Sequence, residues 1–341
     1  MGNITIRMLA KELNLSTAAV SMALTDSHEI SDVTKERVRA LANKWNYVPN
    51  PYAGSLRMKK SKTIAVVIPE VADSFFSQAL NGIEEVAIAK GYHSLICLTH
   101  ENFVREKAIL KDLRSGRVDG VIMSVSMETD SFQHMQELKN QVPVVLFDRV
   151  FEEMNTAKIV TDDYESGYNA TQHLIECGCK KIILLSISNN LSISSKRMEG
   201  YRRALKDHNV NPRLSDIILC SNDATKNHAL IRKIMNRKQR PDGIVATVEK
   251  LATEIYLVSQ ELNIGIPANL KVVCFSNLST AAILDPSLTT IHQPAFAMGK
   301  AAANILFKAL EKKNYNPDVE KVVIPSLLIV RNSTLQKTKN I

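Results

Sequence analysis

The sequence predicts two parts of different fold class: an N-terminal all-α helix-turn-helix domain and a larger α/β part with parallel sheets. Three observations support this division. Residues 4–47 hold three short helical patterns in a space too small for an enzyme core. After residue 62, short apolar runs alternate with amphipathic segments, as in parallel sheets that helices cover on both faces. Residues 1–62 carry ten Lys or Arg against five Asp or Glu, a net of +5 out of +8 for the whole chain. This asymmetry indicates a polyanionic partner.

Composition limits the classes to which the chain can belong. Its 341 residues fit two or three domains, and its 45% apolar and 23% charged residues are ordinary for a globular protein. No run of 18 apolar residues occurs, and the first residues lack the apolar segment of a signal peptide. We therefore expect a cytoplasmic protein without a membrane span.

Motifs of enzymes and metal sites are missing from the sequence. Cys177 and Cys179 are separated by one glycine, whereas zinc sites use a longer spacer and a second ligand pair. The five cysteines lie mostly in apolar stretches, and the eight histidines have no ligand spacing. No phosphate-binding, metalloprotease or nucleophile-elbow motif occurs. We expect no catalytic activity, no cofactor and no metal.

The first helix is predicted at Ile6 to Leu13 with Thr5 as N-cap, and the second at Thr17 to Leu24 with Ser16 as N-cap. Ser31 caps a third helix. An apolar cluster is predicted for Ile6, Leu9, Ala10, Leu13, Leu15, Val20 and Leu24, with Trp45 as a core residue rather than a base-stacking platform.

The outward face of the second helix carries small and polar residues: Thr17, Ala18, Ser21 and Met22. A tight turn between two helices, with such a face on the second, fits a helix-turn-helix whose second helix enters the major groove. A plain three-helix bundle with a solvated face is the alternative interpretation. The segment that follows favours the first. Asn50 and Pro51 begin a fourth short helical pattern that runs into basic residues. A short helix of this kind is marginal alone, and it would form only when a further contact buries Leu56.

The N-terminal residues resemble the LacI/GalR (lactose-repressor/galactose-repressor) family of transcriptional regulators. The similarity is carried by Ile4–Leu24, Ile30-Ser31, Thr34–Val38, Asn46–Asn50, Ala53 and Ser55–Arg57. It implies a repressor that binds a pseudo-palindromic operator as a homodimer, with hinge helices that wedge Leu56 into the minor groove. The expected DNA-binding residues are Thr5, Ser16, Thr17, Ala18, Ser21, Met22, Asn50, Leu56, Arg57 and Lys59. The family usually has Arg at Met22 and a basic residue at Gly54, so the operator sequence is not inherited.

The larger part is predicted to contain eight strands and six helices. The strands are Thr63–Ile68, His93–Leu98, Gly120–Val125, Val142–Phe147, Lys181–Ser186, Asp216–Leu219, Gly243–Thr247 and Val272–Phe275. The helices are Gln78–Lys90, Arg105–Arg114, Gly167–Glu176, Lys196–Lys206, His228–Arg237 and Thr253–Leu262. About 270 residues exceed the usual span of one sheet, so two similar lobes are expected.

The family resemblance continues through this part to about residue 334. It is carried by Phe75-Phe76, Gly82–Glu84, Arg117–Gly120, Pro143–Arg149, His173-Leu174, Arg197 with Gly200-Tyr201, Pro286–Pro294 and Val330–Ser333. It implies a two-lobed, periplasmic-binding-protein-like (type I) domain with three crossovers and an effector cleft. We thus expect a helix-turn-helix domain at 1–48, a hinge at 49–61, an effector-binding and dimerisation domain at 62–334, and a short tail at 335–341. The protein would act at the nucleoid.

Chemical reasoning gives the same place for a ligand, because the carboxyl ends of parallel strands meet at the interface of the two lobes. Arg197 begins a helix after a loop, and its guanidinium can bind a polar ligand bidentately. The expected effector-binding residues are Ser74, Phe75, Phe76, Asp148, Arg149, Asp163, Arg197, Glu249 and Ser276. In the alternative interpretation, Asp148 and Arg149 pair with neighbours, and the two phenylalanines are ordinary core.

Three positions differ from family members that bind sugars. Those members often carry Asn-Asp where this chain has Val248-Glu249, and Asp where it has Ser276. The effector is therefore not a typical free monosaccharide, or its polar contacts come from Asp162 and Asp163, or the cleft binds no small molecule. Two rival functions are also open: a sugar-binding module without a DNA function, and an enzyme on a doubly wound fold.

Overall fold

The computed structural model describes residues 4–47, 61–210, 216–312 and 314–335. Contacts between Cα atoms divide the chain into two compact units, 1–61 and 62–341. No helix among the described residues is long and apolar enough to cross a membrane.

Residues 4–47 of the N-terminal unit form three helices: α1 (Ile6–Leu13), α2 (Thr17–Leu24) and α3 (Asp32–Lys44). The first two have the predicted bounds. The hydroxyl of Ser16 accepts a hydrogen bond from Ala19 N at 3.0 Å, which satisfies one of the free amides at the start of α2. Thr5 occupies the N-cap position of α1, but its side chain makes no capping hydrogen bond. The predicted cap is thus wrong for the Thr5 side chain.

The core of this unit is a small apolar cluster to which all three helices contribute. All seven predicted members belong to it, and Trp45 packs against it as predicted. The cluster also contains Ala23, Ile30, Val38, Leu41, Ala42 and Tyr47. The loop after α2 is held by Asp26, whose carboxylate lies 3.1 Å from Lys35 Nζ and 2.9 Å from Arg39 Nη2 on α3. These contacts tie the loop after α2 to α3.

The larger unit contains two lobes, each with a six-stranded sheet. The strands are β1 (Thr63–Ile68), β2 (His93–Leu98), β3 (Gly120–Met123), β4 (Val144–Phe147), β5 (Ala157–Thr161), β6 (Ile182–Ser186), β7 (Ile217–Leu219), β8 (Gly243–Ala246), β9 (Lys271–Phe275), β10 (Thr289–His292), β11 (Lys321–Ile324) and β12 (Leu327–Ile329). The first lobe has strand order β11-β5-β4-β3-β1-β2, and the second has β12-β10-β9-β8-β6-β7. All described pairings are parallel except that of β10 with β12.

Eight α-helices cover these sheets. They are α4 (Ser74–Ala89), α5 (Phe103–Leu113), α6 (Gln133–Lys139), α7 (Asp163–Glu176), α8 (Ser192–Asp207), α9 (Ala224–Met235), α10 (Glu249–Glu261) and α11 (Ala295–Glu311). The chain crosses between lobes three times: after β5, after β10 and after β11. Asp162 Oδ1 at the first crossing accepts from Ser326 N at 2.7 Å at the third, which ties two crossings together.

Glycines permit two close helix crossings. A Cβ on Gly82 of α4 would lie 2.2 Å from Phe296 O, and one on Gly299 of α11 would lie 2.1 Å from Ala79 O. Gly167 of α7 and Gly200 of α8 face neighbouring backbone in the same way. Each lobe therefore has one tightly packed helix pair on one face of its sheet.

Six elements were not predicted: α6, α11, β5, β10, β11 and β12. Three of these strands have four residues or fewer, and α6 has seven, so they are too short to show a period. In the larger unit, β1 and β2 have their predicted bounds, and the other predicted strands and helices differ from theirs by a few residues at their ends.

Candidate functional site

The first candidate surface is the outward side of α2. Thr17 and Ala18 are exposed, and Ser21 and Met22 are partly exposed. The opposite side of the same helix buries Val20 and Ala23 completely. A face of hydroxyls and short apolar groups is thereby left for contact outside the unit.

Other predicted DNA-binding residues divide into two groups. Thr5 and Ser16 are exposed at the starts of α1 and α2, where backbone amides of a first helical turn point outward. Asn50, Leu56, Arg57 and Lys59 lie outside the described residues, and so does the predicted hinge helix.

The second candidate site lies between the two lobes of the larger unit. Seven predicted residues line one cavity: Phe75, Phe76, Asp148, Arg149, Arg197, Glu249 and Ser276. The other two, Ser74 and Asp163, contact this lining directly. The cavity has a volume of about 30 Å³. Pockets that hold a small-molecule ligand measure about 300–1,000 Å³, so in the described state this cavity is too small for one.

Arg197 is 2% exposed and is held on three sides. Its Nε donates to Asp163 Oδ1 at 2.7 Å, and its Nη1 donates to the carbonyl of Thr247 at 2.7 Å. The guanidinium lies 4.0 Å from the ring centroid of Phe275. Only Nη2 is buried without a partner within the described residues. Because a guanidinium has five N–H groups and these two bonds use two of them, both N–H groups of Nη2 remain for a ligand, and bidentate binding by Arg197 stays a prediction.

Arg149 is paired with a residue that sequence reasoning missed. Its Nη1 donates to both carboxylate oxygens of Glu101 at 2.8 Å, and its guanidinium lies 5.4 Å from the ring of Phe76. Glu101 also accepts from Met127 N at 2.7 Å. The alternative interpretation, in which Arg149 pairs with a neighbour, describes this state.

Burial raises the pKa of three carboxyl groups in the cleft, Asp163 among them. Burial raises the pKa of Asp148 to about 7, against the opposing effect of Arg149. Burial, together with the nearby charge of Glu249, raises the pKa of Asp73 to about 6. Asp73 caps α4 by accepting from Phe75 N at 2.8 Å, whereas Asp148 has only the Arg149 Nε at 3.8 Å.

Three sets of contacts join the two lobes at the cleft itself. Glu249 at the start of α10 accepts from Ser74 N at 2.8 Å and from the Ser74 hydroxyl in the other lobe. Gln78 and Asn277 form a reciprocal pair, with 3.1 Å from Gln78 Nε2 to Asn277 O and 3.0 Å from Asn277 Nδ2 to Gln78 Oε1.

The third contact is apolar. Leu191 and Ile193, at the start of α8 in the second lobe, belong to a core cluster of the first lobe with Val125 and Val150. Phe75 and Phe76 likewise belong to the core cluster of the first lobe, as well as lining the cleft. The cleft is closed by the side chains of the protein itself.

A larger cavity of about 900 Å³ lies on the flank of the same interface. It is lined by both lobes, with Phe132 and Phe151 on one wall and Lys196 and Glu199 of α8 on the other. Lys196 donates to Glu152 at 2.8 Å, and this ion pair crosses from one lobe to the other.

Sequence reasoning missed several lining residues: Asp73, Ile193, Thr247, Phe275, Asn277 and Gln293. Most of them follow β1, β8, β9 or β10 directly, so their place at a strand end is a signal that could have found them. Within the described ranges, no group of three or more His, Cys, Asp or Glu could hold a metal ion.

Two family models match the chain. Residues 5–50 match the model of bacterial regulatory proteins of the lacI family, and residues 61–332 match that of periplasmic binding proteins and the sugar binding domain of the LacI family. The chain belongs to the LacI family. The family resemblance and the fold class predicted from the sequence are confirmed, and the protein is a DNA-binding transcriptional regulator.

Curated relatives of this LacI-family protein match over nearly their whole length. The HTH-type transcriptional repressor PurR of Vibrio atlanticus is 28% identical over 92% of this chain and 94% of its own. Catabolite control protein A of Priestia megaterium is 28% identical over 97% of this chain and 99% of its own. Both are regulators rather than enzymes. The match at residues 5–50 also disfavours a sugar-binding module without a DNA function.

Solved structures show the same fold. The lac repressor dimer bound to operator and the anti-inducer ONPF has a TM-score of 0.85, with 20% identity over 98% of this chain and all of that chain. The complex of the transcriptional regulator CelR with cellobiose has a TM-score of 0.73, with 22% identity over 97% of this chain and all of that chain.

Proposed function

We propose that this LacI-family protein is a repressor that binds a two-fold symmetric operator as a homodimer, and that a small molecule in the cleft changes its affinity for DNA. The observation that carries the proposal is the exposed α2 face on a unit joined to a two-lobed ligand-binding domain. The PurR relatives, which are named repressors, and the lac repressor dimer bound to operator support it. Such a protein acts in the cytoplasm, on the DNA of the nucleoid.

DNA recognition is assigned to α2 and the hinge. Thr17 and Ser21 offer hydroxyls to base edges, and Ala18 and Met22 offer apolar surface to a thymine methyl group. Asn50, Leu56, Arg57 and Lys59 would contact the minor groove and the phosphates when a hinge helix forms there. The net charge of +5 in residues 1–62 supplies the phosphate contacts that give non-specific affinity.

Dimerisation is assigned to the side of the larger unit on which β2 and β7 end the two sheets. Leu95 and Ile96 on β2 are 41% and 49% exposed, Leu219 on β7 is 51% exposed, and Ile88 on α4 is also exposed. Exposed apolar residues along an open strand edge are avoided in monomers, because they invite pairing with another chain. A second copy of this chain covers these residues in the proposal, and its two-fold axis matches the symmetry of the operator.

Ligand binding is assigned to the cleft around Arg197. Its Nη2, Gln293 Nε2 and Thr247 Oγ1 are buried donors without a partner. Buried donors of this kind cost free energy unless an acceptor reaches them. An effector with oxygen atoms would satisfy them, and it requires the lobes to part, because a cavity of about 30 Å³ is far smaller than the roughly 300–1,000 Å³ of a ligand pocket.

The test is selection of genomic fragments by the full-length protein, followed by anisotropy titrations at several salt concentrations. We expect a two-fold symmetric site, and a logarithm of affinity that falls steeply with the logarithm of the salt concentration. Replacing Lys59 and Lys60 by Ala should make the slope shallower. A slope near zero for the unaltered protein would contradict DNA binding.

A further inference from the structure

The charges around the cleft do not balance. Five carboxylates face two guanidinium groups, and each guanidinium is taken by one carboxylate: Arg149 by Glu101 and Arg197 by Asp163. Three more carboxylates line the cavity, and neither guanidinium is hydrogen-bonded to them: Asp73, Asp148 and Glu249.

Of these three carboxylates, Asp148 combines deep burial with weak pairing to a cation. It is 4% exposed, and its ion pair is the long one, 3.8 Å from Oδ2 to Arg149 Nε. The groups that act on it are Arg149, Arg197, Asp163 and Asp73, so two cations already engaged elsewhere oppose two further acids. A buried carboxylate of this kind either takes up a proton or needs a cation from outside.

Residues that line the same cavity also carry buried hydrogen-bond donors without a partner. Within the part of the chain that the structure describes, Arg197 Nη2, Gln293 Nε2, Thr247 Oγ1 and Arg149 Nε have no hydrogen-bond partner. A single water molecule cannot serve all these donors and also supply positive charge to the acids. The ligand that complements this lining has both a cationic donor and several acceptor oxygens.

We propose that the effector is an aminated polyhydroxyl compound, of the class of an amino sugar, whose ammonium group pairs with Asp148 and Asp73 and whose oxygens accept from Arg197, Gln293 and Thr247. This inference rests on the proposed function, since it takes the cleft as the effector site. It also explains the departures at Val248, Glu249 and Ser276 from sugar-binding members, because an amine needs acids in a different arrangement from those that hold hydroxyl groups.

Binding of the amine should depend on pH. An ammonium group favours the ionised forms of Asp148 and Asp73, whose pKa values burial raises to about 7 and about 6, so binding releases protons. A carboxyl with a pKa of about 7 is half ionised at pH 7 and about one-thirtieth ionised at pH 5.5. Affinity should therefore fall on the order of tenfold between these pH values.

The experiment is calorimetry on the full-length protein with three probes of one ring size: glucosamine, glucose and glucuronate, which carry a positive, zero and negative charge. We expect glucosamine to bind at least about tenfold more tightly than glucose, and glucuronate to bind least. Asp148→Asn and Asp73→Asn should remove that advantage. Asn tolerates the positive φ of 60° at position 148 and can still cap α4 at position 73, so both variants should fold.

Glu199→Gln is the matched control, because it removes an exposed carboxylate from the flank cavity and leaves the cleft intact. Glucosamine that binds no more tightly than glucose, or no binding of any probe, overturns the proposal. Loss of glucosamine binding in Glu199→Gln but not in Asp148→Asn overturns it too, in favour of the flank cavity. Operator binding without ligand is measured on the same samples: its absence defeats the proposed function, whereas intact operator binding without a charge preference defeats this inference alone.

Discussion

Replacement of Arg197 by Met is the sharpest test of how the cleft is held. Met keeps an unbranched side chain of similar length but removes the charge. Asp163, also 2% exposed in its side chain, would then be a buried carboxylate without its cation. The variant also loses the hydrogen bond to the Thr247 carbonyl and the contact with the Phe275 ring.

The expected loss of stability is large. Breaking a buried ion pair by removing one partner costs about 3–5 kcal/mol, whereas a whole domain is stable by about 5–15 kcal/mol. For a unit of this size, about 1 kcal/mol corresponds to roughly 2–4 °C in Tm, so a fall of roughly 6–20 °C is expected. Protonation of Asp163 offsets part of this loss of stability, since burial raises the pKa of its carboxyl group.

The assay is denaturation in guanidinium chloride, followed by far-ultraviolet circular dichroism. Trp45 is the only tryptophan and lies in the N-terminal unit, so its fluorescence follows that unit separately. We expect the dichroism transition of Arg197→Met to move to lower denaturant. Arg202→Met on the exposed side of the same helix is the control, and it should change stability by no more than about 0.5 kcal/mol.

A loss below about 1 kcal/mol in Arg197→Met would refute the reasoning, since it would mean that Asp163 does not need its cation. The double variant Arg197→Met with Asp163→Asn tests the cause. It should recover much of the loss, because no unpaired carboxylate remains. An equal loss in the single and double variants would show that packing, rather than charge, holds this part of the cleft.

Three further predictions concern other parts of the molecule. Ile96→Asp should convert the dimer to a monomer in sedimentation and weaken operator binding at least about tenfold, since a carboxylate is costly in an apolar interface; Val104→Asp, exposed on α5, should remain dimeric. Met22→Arg should raise the preference for G·C at one base pair by about 1–3 kcal/mol in site selection, and an invariant G·C with Met22 would contradict this placement of α2. The imidazole of His228 pairs with Glu254 at 2.9 Å and with Glu261 at 3.0 Å. The hydrogen bond to Glu254, and after it the bond to Glu261, raises the pKa of His228. Its contribution to stability is therefore full below about pH 6.5 and is lost as pH rises through the folded-state pKa, so His228→Gln should lower Tm at pH 6 but not at pH 9.

Sequence reasoning predicted the long or strongly patterned elements. The first two helices have their predicted bounds, and β1 and β2 do as well, because a cap or an apolar run marks each end. The short strands β11 and β12 were missed, since three or four residues hold no period. These two strands depend on neighbours far away in the chain for their hydrogen bonds.

The sequence by itself determined the family, the two-part organisation, the exposed face of α2 and the neighbourhood of the cleft residues. These follow from local periodicity, from charge and from strand ends, which are properties of contiguous residues. Only the tertiary structure decided how the cleft side chains pair. Glu101 reaches Arg149 across 48 positions, and Glu249 reaches Ser74 across 175. Burial then removes the water that would otherwise screen these charges, so the state of each group depends on partners that no local pattern identifies.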